Sequence, residues 1–132
     1  MLNNSSSITT QEAGSSSKLS QFPSVQIENG VQKYALIEAY DAEHDEKKPL
    51  VRGHCSAKFH AHAANATLKQ IYALGLQANI PGGGRIDRDD QARTISIYGY
   101  SVSYGQPDHS ISAALVRQAF PGYTVTTSNE GY

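Results

Sequence analysis

Residues 94–112, TISIYGYSVSYGQPDHSIS, constrain this chain more than any other stretch. Residues 94–98 alternate small polar with apolar side chains, the period-two pattern of a half-buried strand. Gly99, Gly105 and Pro107 then break the pattern around a loop that carries Ser101 and Ser103. Asp108 is placed to cap a helix whose apolar residues Ile111, Ala114, Leu115 and Ala119 recur at helical spacing. A strand that feeds a small-residue loop and then opens a helix exposes several backbone N–H groups together, which suits an anion.

The rest of the chain reads as a sheet for that unit to join. Residues 24–27 fit a short strand, Asn29-Gly30 a tight turn, and 31–40 a second strand. In that strand Val31, Lys33, Ala35 and Ile37 share one face, so Lys33 has apolar neighbours and is expected at an edge or end of the sheet, its ammonium reaching water. Residues 41–48 are a charged loop ending at Pro49, in which His44 receives no role. Residues 50–55 give a third strand carrying Arg52. A helix is expected over 57–77, buried along Ala64, Leu68, Ile71, Leu74 and Gly75, with His60 and His62 at its start. Pro81-Gly82-Gly83-Gly84-Arg85 reads as a glycine run free to adopt positive φ and to pass close to other groups, next to a weak strand at 78–80. Residues 87–93 form a polar turn and 123–127 a last strand. The fold class is therefore α/β (α+β), one sheet packed by two helices.

Composition bounds the function. With 39% hydrophobic and 17% charged residues, the 132-residue chain fits one soluble domain. Residues 1–21 are rich in Ser, Thr, Asn and Gln and are expected to be a disordered tail, with the domain over 22–132. The formal net charge of -1 excludes the broad basic field of a nucleic-acid binder, so any anion site must be local. No run approaches the ~20 apolar residues that span a bilayer, and no basic and apolar leader opens the chain. Cys55 is the only cysteine, which excludes an intrachain disulfide and points to a reducing, cytoplasmic setting.

Few residues carry recognisable chemistry. Gly82-Gly83-Gly84 lacks the Lys-Ser/Thr ending of a nucleotide phosphate loop. His60 and His62 lie two apart, so on a helix they diverge by roughly 200°, whereas helical metal ligands sit three or four apart; no metal site is assigned. Cys55 lacks the arginine a cysteine phosphatase would place about five residues later and reads as a small buried thiol in a strand. His109 reads as a surface residue of a first helical turn. What remains is three cations, Lys33, Arg52 and Arg85, the loop after residue 98, and a histidine at a helix start.

Those leftovers fall into a known pattern. The segments QKYALI (32–37), VRG (51–53), FHA (59–61), GGGRI (82–86), YGYS (98–101), YG (104–105), DHSIS (108–112) and NEGY (129–132) resemble the janus/ocnus phosphohistidine phosphatase family, in register over 22–132. The resemblance implies a single mixed β-sheet of about six strands flanked by two helices. It also implies hydrolysis of the P–N bond of phosphohistidine in proteins without a metal ion; phospholysine is expected as a further substrate, no cofactor is expected, and the protein is expected to be a monomer. It implies a catalytic role for His60, as general base or as nucleophile, substrate contact by Lys33, a phosphate-binding loop at Ser101, Val102 and Ser103, and nearby arginines at Arg52 and Arg85. Phosphohistidine-bearing proteins would be the partners, with neither nucleic acid nor membrane involved. Two positions depart from the family: His62 stands where an acidic residue is frequent, and Ser103 where a relative has alanine. The first leaves open a non-catalytic, phosphate-recognising or regulatory protein of the same fold.

Overall fold

The computed structural model describes residues 17–129. Six strands, β1 (Val25–Gln26), β2 (Gly30–Asp41), β3 (Glu46–His54), β4 (Gln77–Asp89), β5 (Thr94–Tyr98) and β6 (Thr124–Thr127), form one sheet in the order β1-β3-β2-β4-β5-β6. The three central pairings are antiparallel, and the short edge strands β1 and β6 pair parallel, so the sheet is mixed as expected. Helix α2 (His60–Ala73) and helix α3 (His109–Ala119) flank it, and one turn of helix, α1 (Ser17–Ser20), precedes them.

Side chains on β2 alternate, and each parity has its own core. Ala35, Ile37 and Ala39 pack with Leu50 and with Ala64 and Ile71 of α2. Tyr34 and Leu36 pack with Val51, Ile86, Ile95 and Ile97 and with Ala113 and Val116 of α3. Both faces of the sheet are therefore covered, each fully buried aliphatic contributing roughly 1.5–3 kcal/mol.

Several local expectations change. Leu19 and Phe22 are buried in the α2-side core, and Lys48 Nζ donates to both of their carbonyls, at 3.2 and 2.7 Å. Packing thus begins a few residues before position 22; residues 1–16 of the expected tail, and 130–132, lie outside the described residues. The charged loop at 41–48 is half strand, with only residues 42–45 forming the turn. Asp41 accepts from the Glu43 and His44 amides and from His44 Nδ1, closing a tight β2–β3 turn. Helix α2 is shorter than 57–77; Gly75, at φ 76, ends it, and the buried residue beyond is Leu76. The buried face of α3 is His109, Ser112, Ala113 and Val116, while Ile111 is 42% exposed.

The glycine run is not a turn. Gly82, Gly83 and Gly84 lie inside β4, none has positive φ, and what they supply is the absence of a side chain. A Cβ on Gly82 would stand 2.5 Å from Pro107 N, on Gly83 2.6 Å from Tyr34 O and 2.9 Å from His60 Cδ2, and on Gly84 2.4 Å from Tyr98 O and 3.0 Å from His109 Cε1. The bare strand lets the 99–107 loop and two histidines close onto it. Among the described residues no helix is long and apolar enough to cross a membrane.

Candidate active site

Lys33 lies on β2 between His54, the last residue of β3, and Arg85 of β4, so its strand is central rather than an edge one, and the residue sits toward one end of the sheet, as one of the two expected placements has it. Its parity is that of Ala35, which turns it to the α2 face. There its ammonium donates to Lys58 O and stands 5.7 Å from the centroid of the Phe59 ring.

His60 is the first residue of α2. Its ring lies against Gly83, and its Nε2 is 3.0 Å from Gly84 O. A carbonyl oxygen only accepts, so the neutral ring carries its proton on Nε2 and its lone pair on Nδ1. Burial of the half-buried ring holds the pKa below the ordinary imidazole value of 6.5; the Gly84 bond opposes this, and the charges of Lys33 and Arg85 add to it.

The third part is the loop after β5. Gly99 and Gly105 take φ 80 and 89, and Ser101 and Gly105 exchange two backbone bonds at 3.1 and 2.8 Å. Ser101 is buried and its Oγ accepts from Tyr104 N at 3.1 Å, while Gly105 O also accepts from Gly83 N at 3.1 Å, fastening the loop to β4. Among the described residues nothing takes up the N–H groups of Val102 and Ser103, both exposed. The amide of Ser101 is spent internally, so the donors open to an anion come from Val102 and Ser103.

These parts meet. A cleft of about 500 Å³ is lined by Lys33, by residues 59–62 and by residues 101–104. Among the described residues, the hollows beside Glu46 to Lys48 and beside Glu38, Tyr40 and Gln77 hold no comparable set of an imidazole, an ammonium and open amides. Of the expected site residues, Lys33, His60, Ser101, Val102 and Ser103 come together. Arg85 does not line the cleft, but it pairs directly with Lys33 in the sheet and its charge acts on His60. Arg52 is not part of the site. Its guanidinium is buried and bonds Thr67 Oγ1 at 2.8 Å, Val51 O at 3.0 Å and Pro23 O at 2.8 Å, which staples β3 to α2 and to the chain before β1; burial brings its pKa down to about 10. His62 is exposed and meets the Phe59 ring edge-on at 5.3 Å. Cys55 is exposed just beyond β3, its Sγ 3.4 Å from Asn29 O, and is not a core thiol.

Three residues with no expected role, His109, Tyr34 and Ser112, stand behind the site. His109 is buried, with Nε2 2.8 Å from Gly99 O and Nδ1 2.7 Å from Tyr34 Oη, which is itself 3.1 Å from Ser112 Oγ. Since Gly99 O only accepts, His109 Nε2 donates to it and Nδ1 accepts from the Tyr34 hydroxyl, which leaves Ser112 as donor to Tyr34. This chain ties α3 and β2 to the first residue of the loop. Asp108 caps α3 as expected, accepting from Ser110 N. The signal for His109 was its spacing: 109, 112, 113 and 116 form one helical face.

A grouping of His and carboxylate ligand atoms exists at Asp41, Glu43 and His44, but it belongs to the β2–β3 turn, at the other end of β2 from Lys33. In the cleft the positive charge comes from Lys33.

The Janus/Ocnus family model matches residues 19–124. The chain is 36% identical over 120 residues to a 14 kDa phosphohistidine phosphatase of Sus scrofa, covering 86% of this chain and 95% of that protein. The protein of the same name from Homo sapiens is likewise 36% identical, at 86% and 96% coverage. The sex-regulated protein janus-A of Drosophila yakuba is 37% identical over 103 residues, at 78% and 76% coverage. Matched along most of its length by the family model and by relatives above 30% identity, the chain belongs to the Janus/Ocnus family.

Proposed function

We propose that this protein is a phosphohistidine phosphatase that hydrolyses the P–N bond of phosphohistidine in proteins, and of related phosphoramidates such as phospholysine, with His60 as general base. The observation that carries the reading is the commitment of His60 Nε2 to Gly84 O, which leaves the Nδ1 lone pair as the ring's reactive position in a cleft that also holds Lys33 and two open amides. Two relatives bear the name of that activity.

The phosphoryl oxygens accept from the Val102 and Ser103 N–H groups and from Lys33, which orient the group and offset its charge. His60, kept neutral near pH 7 by its lowered pKa, takes a proton at Nδ1 from a water molecule. The water oxygen bonds to phosphorus as the P–N bond breaks, the departing nitrogen takes a proton from solvent, and His60 gives the proton it accepted back to solvent, which restores the neutral ring. Because the P–N bond is weak once that nitrogen is protonated, positioning and charge compensation are sufficient and no metal is assigned a step. The carboxylate absent at position 62 is not needed to aim the imidazole, since the Gly84 carbonyl does so.

A second reading, phosphate recognition without turnover, is favoured by the janus-A relatives, whose name states no catalytic activity. Turnover of a phosphohistidine peptide by wild type and by His60→Ala, both in chelator, separates the two. Hydrolysis by wild type that His60→Ala abolishes supports the phosphatase. Absence of turnover in wild type supports recognition alone, equal turnover in the two refutes His60 as the catalytic base, and loss of wild-type activity to chelator defeats the metal-free step.

A further inference from the structure

Phe59 breaks two local rules at once. It is the N-cap of α2, where a Ser, Thr, Asp or Asn side chain would satisfy one of the helix's open N–H groups, and its own side chain makes no capping bond. It is also 64% exposed, and Val102 in the anion loop is 76% exposed; among the described residues no other large hydrophobic side chain is exposed as far. Both line the same cleft. Exposed apolar side chains converging on one polar pocket mark a binding surface rather than a packing solution. The Phe59 ring is held at the mouth by Lys33 at 5.7 Å from its centroid and by the His62 ring edge-on at 5.3 Å.

We infer that Phe59 and Val102 form an apolar rim that grips the azole ring carrying the phosphoryl group, so that the cleft prefers phosphate on an aromatic nitrogen to phosphate on an aliphatic amine. The inference rests on the phosphoramidate reading above and names its substrate preference. The phosphoryl oxygens are served by Lys33 and by the Val102 and Ser103 amides, so the side chain that bears them leaves the polar floor past Phe59 and Val102. A flat azole offers a ring face to Phe59 and an edge to the Val102 methyls, with few rotors to freeze. An alkylamine offers a narrower, more flexible chain that loses more freedom for less contact. Neither the Phe59 ring nor the Val102 side chain is assigned a contact with the phosphoryl group; both side chains act on specificity.

The test uses Phe59→Ser, which supplies a capping oxygen and therefore folds at least as stably, and Val102→Ser. Calorimetric titration compares inorganic phosphate, a peptide bearing a non-hydrolysable phosphonate on a triazole ring, and one bearing it on an alkyl chain of lysine length. Wild type is expected to bind the triazole peptide about tenfold tighter than the alkyl peptide, the scale of one aromatic contact. Phe59→Ser is expected to erase that preference while holding inorganic phosphate within about twofold of wild type, and Val102→Ser to reduce the preference. A preference that persists in both variants, or is missing from wild type, overturns the inference. Joint loss of phosphate and triazole binding in folded Phe59→Ser also overturns it, by assigning Phe59 to placing Lys33. Preference without turnover of phosphohistidine would retain this inference and sink hydrolysis; turnover without preference would do the reverse.

Discussion

Replacing Gly83 with alanine should damage stability and chemistry together, by amounts the geometry sets. The added Cβ would stand 2.6 Å from Tyr34 O and 2.9 Å from His60 Cδ2, where ordinary contact begins at 3.4 Å. The β2–β4 pairing has to open around Tyr34 and the imidazole has to retreat by about half an ångström, an overpacking that costs roughly 1–3 kcal/mol. At roughly 4 °C per kcal/mol for a domain of this size, Tm should fall by about 4–12 °C. A full ångström of misplacement can cost about a hundredfold in rate, so a half-ångström shift of His60 should lower kcat/KM on a phosphohistidine peptide by at least about tenfold. The control is Gly75→Ala, at φ 76 with no atom within 4 Å of the new methyl. There the backbone strain of roughly 1–2 kcal/mol should lower Tm with kinetics unchanged. Circular dichroism melts, steady-state kinetics and the His60 imidazole resonance read the three quantities. A folded Gly83→Ala protein with wild-type kcat/KM and an unmoved His60 resonance would refute the claim that bare β4 seats the imidazole.

Other outcomes follow from the same geometry. Tyr34→Phe removes the hydroxyl between His109 and Ser112 and orphans a buried acceptor, so at roughly 1–3 kcal/mol its thermal midpoint should drop by about 4–12 °C; a drop under about 2 °C would show the chain is not structural. Lys33→Ala should weaken inhibition by inorganic phosphate about tenfold or more, and Arg52→Met should leave it within about twofold because that guanidinium is spent inside; equal losses would restore Arg52 to the site. His60 titrates below 6.5, so the acid limb of kcat/KM should lie below that pH, and Lys33→Ala, by removing a cation that disfavours the imidazolium, should move the limb upward. On lowering the pH the unfolded chain takes up this proton first, so His60 contributes stability above pH 6.5 that is lost on acidification; a limb above 6.5 would contradict the burial of the ring.

Much of this was legible in the residues, for identifiable reasons. Alternation placed β2 and β5, Asp108 and the helical spacing beyond it placed α3, and Lys33, His60 and residues 101–103 came from a motif pattern that the cleft brings together. The glycine run was half legible, because glycine marks positive φ and close approach alike: the close approach holds, making room for Pro107, His60 and His109, and the positive φ does not occur. His109 was passed over because a histidine in a first helical turn is ordinarily solvated, and only the loop folding back on α3 puts Gly99 O and Tyr34 against it. Arg52 looked available because an arginine's acceptors, here Pro23 O and Thr67 Oγ1, lie far off in sequence. Cys55 fell one residue past the end of β3, a boundary that alternation does not define.

The account stands on one shared pocket, and titrating the isotopically labelled protein with inorganic phosphate while following its amide and imidazole resonances tests that pocket most directly. The Val102 and Ser103 amides and the His60 ring should shift together along one saturation curve, and Lys33→Ala should weaken all three alike. Shifts centred instead on Glu46 to Lys48 beside α1, with residues 102, 103 and 60 unmoved, would contradict it.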